Sequence, residues 1–122
     1  MRASSLLFTL SEADFQTRII DRARTLGWWV HHGRPARKGD GSWSTPIQGD
    51  AGFPDLVLAR GGRVIFVEVK TEKGRLTDQQ KQWMAELAGG PWTSPQVSTV
   101  NERVEVYLWR PSDTARIEGI LQ

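Results

Sequence analysis

The sequence predicts an α/β fold in which a mixed central sheet is flanked by helices, in the order α-β-β-β-α-β-β-α. Apolar residues recur at helical spacing in two segments, and short β-branched runs with turn signals lie between and after them. Two of these runs, 55–60 and 63–70, are separated only by Gly61-Gly62, which is a strong signal for a two-residue hairpin turn. The length of 122 residues fits a single domain covering 1–122.

The N-terminal part is predicted to hold a short arm and a first helix. Residues 1–10 have the character of a loose or strand-like arm. Ser11 is a suitable N-cap because its hydroxyl can accept a bond from the first free backbone N–H groups. An apolar stripe at helical spacing follows and indicates a helix that ends before Gly27, with the members Phe15, Ile19, Ala23 and Leu26.

A strand and a long loop are predicted next. The segment WWVHH (28–32) has strand character, and we expect Trp28 and Trp29 to be core and cover residues. The segment GRPARKGDGSWSTPIQGDAG (33–52) is predicted to be a loop. So long a connection in a small domain is usually functional or disordered.

The C-terminal part is predicted to hold a second helix, two strands and a final short helix. The second helix covers 77–88, and the strands are QVSTV (96–100) and VEVYLW (104–109). The segment PSDTARIEGIL (111–121) favours a helix with Ser112 as its N-cap.

Composition excludes several classes of site. The chain has no cysteine, so disulfides, thiolate nucleophiles and cysteine-based zinc sites are excluded. The formal net charge of +2 and a pI near 9.4 allow a nucleic-acid partner without requiring one. No segment is long and apolar enough to span a bilayer, and no signal cleavage site follows the N-terminus. We therefore expect a cytoplasmic protein that does not act at a membrane.

The hairpin places two carboxylates opposite each other. If its turn is tight, Arg60 faces Arg63 and, counting outward, Asp55 faces Glu68 on the same face of the sheet. Like charges in directly opposed positions are destabilising. Lys70 lies two residues beyond Glu68 and shares its face. The hairpin therefore gathers two acids and one amine at one end.

The neighbouring sequence indicates that this end is buried. Residues 64–67 are apolar on both faces, which is typical of a central strand covered on both sides. Mg²⁺ is commonly held by one or two carboxylates together with water and phosphate oxygens, so a divalent cation would relieve the opposed acids. The alternative is a Glu68–Lys70 ion pair at a fraying strand end, with Asp55 serving as a turn residue after Pro54.

These residues carry a resemblance to a known class of nucleases. Pro54-Asp55 followed by Glu68-Val69-Lys70 resembles the PD-(D/E)xK signature. The stretch GFPDLVL…VIFVEVKTEKGRLTDQQKQWMAEL resembles the VRR-NUC family more narrowly, whose members include small stand-alone phage proteins. The similarity extends to SEADFQTRII…LGWWV and VEVYLWRPSD, with weak matches in 33–51 and 89–101. The resemblance implies a restriction-endonuclease-like core and, if the protein is phage-encoded, a location in the host cytoplasm.

The resemblance also implies roles for the matching residues. Asp55 and Glu68 would bind Mg²⁺ or Mn²⁺, with the carbonyl of Val69 as a further oxygen ligand. Lys70 would position or activate the attacking water and stabilise charge on the phosphate. This chemistry suits phosphodiester hydrolysis, which needs an activated water and neutralisation of charge on the scissile group.

Two further residues match positions near the active site of the family. Glu12 lies on the inward stripe at the start of the first helix and would complete the acidic cluster as a metal ligand. Alternatively, Glu12 serves only the helix dipole. Gln80 faces inward on the second helix and would lie close to the catalytic residues. Alternatively, or in addition, Gln80 completes a capping box with Thr77.

Contacts to DNA are expected from basic and aromatic side chains near the same end of the hairpin. Lys and Arg neutralise phosphates, and an aromatic ring can stack on an unpaired base. The candidates are Arg34, Arg37, Lys38, Trp43, Lys73 and Arg75. The alternative is an ordinary solvated loop. His31 and His32 are adjacent in a strand, point to opposite faces and therefore cannot easily share one metal ion.

The sequence thus favours a divalent-metal-dependent endonuclease that hydrolyses DNA and recognises structure, such as a junction, flap or nick, because no sequence-reading module is evident. The short chain suggests a homodimer on a branched substrate. Three alternatives remain: a non-catalytic DNA-binding module on the same fold, a sequence-specific restriction-type nuclease, and a structural protein with a buried salt-bridge network.

Overall fold

The computed structural model describes residues 10–33, 36–37, 39, 41, 43–44, 48–92, 98–101 and 103–122. Within these residues the helices are α1 (Glu12–Thr25), α2 (Asp78–Ala88) and α3 (Thr114–Leu121). The strands are β1 (Trp29–His32), β2 (Ala36–Arg37), β3 (Trp43–Ser44), β4 (Leu56–Arg60), β5 (Arg63–Val69), β6 (Ser98–Asn101) and β7 (Val104–Trp109). The predicted order of the main elements is confirmed, with β2 and β3 as additions.

Five strands form a mixed sheet in the order β1-β4-β5-β7-β6. β4 and β5 form the predicted antiparallel hairpin, with pairs running from Arg60–Arg63 to Leu56–Val67 as the turn length predicts. β5 pairs with β7 in parallel, and β7 pairs with β6 antiparallel. β5 is therefore the central strand, and its C-terminal end lies deep within the molecule.

Each face of the sheet has its own apolar cluster. On one face α1 buries Phe15, Ile19 and Ala23 against the sheet, and α3 adds Ile117 and Leu121. On the other face Met84 of α2 packs on alternate residues of β7, which are Val106 and Leu108. The sheet is thus flanked by helices on both sides, as predicted for an α/β fold.

Helix ends follow their capping residues. Ser11 Oγ accepts a hydrogen bond from the N–H of Asp14 at 3.1 Å, so Ser11 is the N-cap of α1 as predicted. Gly27 follows the end of α1 with a φ of +89°, a conformation that favours glycine. Thr77 caps α2, and Gly89 ends it in the left-handed conformation.

Three expectations about local structure are wrong. Trp29 is 83% exposed and does not cover the core. It points to the face of the sheet on which α2 packs, and α2 lies over β6 and β7 and leaves the edge strand β1 uncovered. Ser112 is not an N-cap, because Pro111–Asp113 form a 3₁₀ turn and α3 begins at Thr114. The segment predicted as a plain loop contains β2 and β3, which pair with each other antiparallel.

Other expectations fall partly or wholly outside the described ranges. The N-terminal arm was predicted for 1–10, of which only residue 10 is described. Within the described ranges, none of the helices combines the length and apolar character that crossing a bilayer requires.

Candidate active site

The C-terminal end of β5 and the start of β4 meet because the two strands are antiparallel. Asp55 precedes β4, and its Oδ2 accepts a hydrogen bond from the N–H of Val69 at 2.8 Å. Lys70 follows β5, and its N–H donates to the carbonyl of Trp109 at 3.1 Å, so the backbone remains fixed beyond the strand. Asp55, Glu68 and Lys70 are therefore brought together by the hairpin and by its neighbour β7.

Glu68 is almost completely buried, with 1% of its surface exposed. Its Oε1 accepts a hydrogen bond from Gln80 Nε2 at 3.1 Å and lies 3.7 Å from Lys70 Nζ. Its Oε2 is buried and receives no hydrogen bond from any described group. Buried polar atoms are nearly always satisfied in folded proteins, so an oxygen without a protein donor is suited to hold a proton, a water or a cation.

The charge state of Glu68 follows from this environment. Its pKa is raised to about 9, first because burial disfavours the charged carboxylate and then because Asp55 lies against it. Lys70 acts in the opposite direction by favouring the carboxylate. Without a cation, the paired acids hold a proton near neutral pH, and a divalent ion could take the place of that proton.

Glu12 approaches the same group from the start of α1. It is half-buried, and burial raises its pKa, while Lys70 lowers it and Asp55 raises it. These mutual effects show that Glu12 lies near both residues. In the part of the chain that the structure describes, however, no three acidic or histidine side chains form a metal-binding group by themselves. Glu12 as a direct ligand stays a prediction.

The donor set fits a hard divalent cation whose remaining ligands are not protein side chains. Asp55 and Glu68 supply carboxylate oxygens, and one of these, Glu68 Oε2, is buried without a partner. Mg²⁺ usually keeps several waters and takes only one or two carboxylates from the protein. Two facing carboxylates therefore suffice for such an ion, and a third acidic ligand is not required.

Gln80 makes both contacts that the sequence left as alternatives. Its Oε1 accepts from the N–H of Thr77 at 2.9 Å, and its own N–H donates to Thr77 Oγ1 at 3.1 Å, which completes a capping box. Its Nε2 donates to Glu68 Oε1. One amide therefore joins the start of α2 to the buried acid, since its oxygen accepts while its nitrogen donates.

Arg110 was missed by sequence reasoning. Its Nη1 donates to the carbonyls of Thr71, Glu72 and Gly74 at 2.8, 3.2 and 2.6 Å. The turn that follows Lys70 is therefore folded around one guanidinium. No local signal in the sequence could have revealed this, because the partners lie 36 to 39 residues apart.

The expected DNA-contacting residues are only partly described. Lys73 and Arg75 are exposed on the turn held by Arg110. Arg34 and Lys38 lie outside the described residues. Arg37 and Trp43 belong to β2 and β3, and their side chains are likewise not described. The roles of all these residues in binding DNA stay predictions.

A mixed sheet whose central hairpin ends in Asp55 and a Glu68-Val69-Lys70 run defines an α/β protein of the restriction-endonuclease-like class. Residues 43–100 match the VRR-NUC domain, which is of nuclease type, and this match supports membership of the VRR-NUC family. The matched segment contains Gln80 as well but not Glu12. Searches of curated proteins and of solved structures found no match.

Proposed function

We propose that the protein is a divalent-metal-dependent endonuclease that hydrolyses phosphodiester bonds of DNA and selects its substrate by structure, such as a junction, flap or nick. The observation that carries the proposal is Glu68 Oε2, a buried carboxylate oxygen without a donor, which lies beside a second carboxylate in a nuclease-type domain. A purely structural acid would have its oxygens satisfied.

Asp55 and Glu68 would hold the ion, with the carbonyl of Val69 as a further ligand. When bound, Mg²⁺ or Mn²⁺ makes its water more acidic and neutralises charge on the phosphate. The protein's contribution is to keep both carboxylates in place before the ion arrives. The hydrogen bond from Val69 N–H fixes Asp55, and the bond from Gln80 Nε2 fixes Glu68.

Lys70 is placed to act on water or on phosphate. Its side chain is only 12% exposed, and Nζ lies 3.7 Å from Glu68 Oε1. An ammonium held in this way can orient the attacking water and stabilise the negative charge that develops on the phosphate. Since it is anchored through the backbone bond to Trp109, its starting position does not depend on the substrate.

Metal binding can be tested without any cleavage assay. Titration with Mn²⁺ or Mg²⁺ should raise the melting temperature, because a ligand that binds only the folded state stabilises it. Asp55→Asn should abolish this rise. Asp78→Asn is a matched control, since Asp78 is an exposed acid in the first turn of α2, and it should retain the rise. An equal rise in the Asp55→Asn protein would contradict the proposed metal site.

Cleavage is tested with labelled linear, nicked, flapped and four-way DNA, with and without Mn²⁺. Lys70→Ala should remove cleavage while largely sparing the thermal response to metal. Lys73→Ala, on the exposed turn nearby, should weaken binding and its salt dependence with little loss of maximal turnover. Retained cleavage by the Lys70→Ala protein would argue against a catalytic role for Lys70.

Several narrower expectations remain predictions within this proposal. They are a single domain over 1–122, a phage-type origin, a cytoplasmic location and a homodimer on branched DNA. The homodimer can be tested by sedimentation of the protein alone and with four-way DNA.

A further inference from the structure

A cleft of about 770 Å³ opens beside Asp55. His31 and Gly33 line it at the end of β1, and the 48–55 segment and Trp83 complete it. This volume lies within the range of sites for small ligands, about 300–1,000 Å³. Asp55, a proposed metal ligand, is one of the lining residues, so whatever enters the cleft lies next to the reacting phosphate.

Phe53 forms an aromatic surface in this cleft. It is 44% exposed, and its ring makes edge contacts with Phe66 and Trp83 at centroid distances of 6.0 and 5.0 Å. Two perpendicular rings therefore hold Phe53 in place while much of it stays accessible. A fixed, partly exposed ring is suited to stacking, because little conformational entropy is lost when a flat partner binds.

The backbone around Phe53 is fixed as well. Trp83 Nε1 donates to the carbonyl of Asp50 at 3.2 Å, which ties the segment to α2. Gly52 has a φ of +98°, and a Cβ there would lie 2.8 Å from the backbone of Gln79. Only glycine permits this approach. The segment is therefore pressed against α2 in one conformation, and Pro54 then leads directly to Asp55.

The lining chemistry fits a nucleobase better than a phosphate. Asp50 and Asp55 are among the lining residues, and their carboxylates disfavour a phosphate within the cleft. The lining also offers the rings of Phe53 and Trp83, the imidazole of His31, the amide of Gln48 and polar backbone groups. Rings stack on base faces, and polar groups bond to base edges.

We propose that this cleft holds one unpaired base of the cleaved strand, stacked on Phe53, beside the phosphate at Asp55. The proposal rests on the proposed nuclease function and names its substrate class. A base inside a duplex is covered by its neighbours and by its partner, so it must leave the stack to reach a side chain. A base that is already unpaired avoids this cost, which favours flaps, gaps and bulges over intact duplex.

Binding without cleavage tests the proposal. The Lys70→Ala protein, in Mg²⁺, is mixed with a duplex that carries one unpaired 2-aminopurine, and separately with the fully paired version. We expect tighter binding of the unpaired probe and a stacking-dependent change in its fluorescence. Adding Phe53→Ala should weaken binding of the unpaired probe about tenfold, in line with base–aromatic stacking, and leave the paired probe unchanged.

Two further variants separate stacking from folding. Phe53→Leu keeps an apolar contact with Phe66 and Trp83 but removes the flat ring, so it should keep its melting temperature and lose the preference. Trp29→Ala removes an exposed aromatic outside the cleft and should keep the preference. A full preference in the Phe53→Leu protein, or an equal loss in the Trp29→Ala protein, would overturn the proposal.

Cleavage assays distinguish a failure of the proposed nuclease function from a failure of the proposed base-binding cleft. If the wild-type protein cleaves DNA with Mn²⁺ but Phe53→Leu leaves its choice among substrates unchanged, the nuclease function stands and the base-binding cleft is wrong. If the wild-type protein cleaves none of the substrates, the nuclease function itself is wrong. A change of Phe53→Ala from dimer to monomer would identify the surface as a contact between two copies and overturn the base-binding role.

Discussion

Glu68 and Glu105 are both buried glutamates in neighbouring strands of one sheet, yet their surroundings are opposite. Glu105, at the start of β7, is 6% exposed, and both of its oxygens accept hydrogen bonds from Arg63. Tyr107 donates a further bond through its hydroxyl. Glu68, at the far end of β5, has one satisfied oxygen and one that receives nothing from the described groups.

The pKa values express this difference. Hydrogen bonds from Arg63 lower the pKa of Glu105, so it is charged and paired in the folded protein. Burial and the adjacent Asp55 raise the pKa of Glu68 to about 9. A buried charge is tolerable when it is fully paired. Glu105 therefore finds its hydrogen-bond partners within the chain, whereas Glu68 has one oxygen that still needs a partner from outside.

Exchange of each acid for its amide gives the largest expected effect. Glu68→Gln removes a metal-binding charge and should raise the activation free energy by about 4 kcal/mol, which lowers the cleavage rate roughly 1,000-fold. Glu105→Gln is the matched control, because it makes the same chemical change in the same sheet on the opposite face. Its rate should remain within a few-fold of wild type at a temperature where it is folded.

The measurement is single-turnover cleavage with saturating Mn²⁺, supported by circular dichroism to confirm folding. Similar rate losses in both variants would mean that either substitution perturbs the sheet as a whole. The separation of the two acids into functional and structural would then be wrong.

The two substitutions should rank in the opposite order for stability, with Glu105→Gln causing the larger loss. Glu105→Gln leaves Arg63 and the Tyr107 hydroxyl with a weaker partner, and removing one member of a buried ion pair costs about 3 kcal/mol. Glu68→Gln should be neutral or slightly stabilising without metal, since the amide replaces a carboxyl group that is already protonated. Urea denaturation in EDTA at pH 7 measures both. A loss in the Glu68 variant as large as in the Glu105 variant would contradict the assignment.

The hairpin was the part of the fold that the sequence predicted best, because its contacts are local in the chain. Gly61-Gly62 fix the turn, the turn fixes the register, and the register brings Asp55 toward Glu68. Each of these steps is local in the chain. The capping box at Gln80 was accessible in the same way, because its residues are three apart.

Contacts between distant segments could not be predicted. The bonds from Arg110 to the turn after Lys70, and the bond from Trp83 to Asp50, join residues that only the folded sheet brings together. The exposure of Trp29 depends on where α2 packs, which its own sequence does not encode. The site's acids were thus predictable, whereas the groups that hold the surrounding loops were not.

The two acids should also give opposite dependences of stability on pH in metal-free protein. The unfolded chain loses the proton of Glu68 near pH 4.5, whereas the folded chain keeps it until about pH 9. The free energy of unfolding should therefore fall between these values, by at most about 1.4 kcal/mol per pH unit. For Glu105 the folded pKa is lowered, so its contribution is present above pH 4.5 and is lost as the pH falls through the folded pKa.

Urea midpoints from pH 3 to 9 in EDTA test this difference. Glu68→Gln should flatten the decline above pH 4.5 and leave the acid limb intact. Glu105→Gln should do the reverse by reducing the loss in acid. Identical profiles for the two variants would show that neither acid has the environment described for it.

Substitution of Gln80 should have a smaller effect than the exchanges of the acids. Among the described residues, Gln80 is the one neutral side chain that donates a hydrogen bond to Glu68. A hydrogen bond to a charged group contributes about 1.5–3 kcal/mol, so Gln80→Ala should lower turnover by roughly tenfold or more. Loss of its half of the capping box should cost only about 1 kcal/mol of stability. Gln79→Ala, one position earlier on the exposed side of α2, should change neither.

Cleavage rates and urea midpoints of the two variants, measured side by side, distinguish the two contacts of Gln80. A large loss of stability with normal turnover would mean that Gln80 serves the helix alone. Glu68 would then be held without help from α2, and its orientation would have to come from Lys70 and the bound ion. If turnover falls by more, in free-energy terms, than the free energy of unfolding does, the start of α2 positions Glu68.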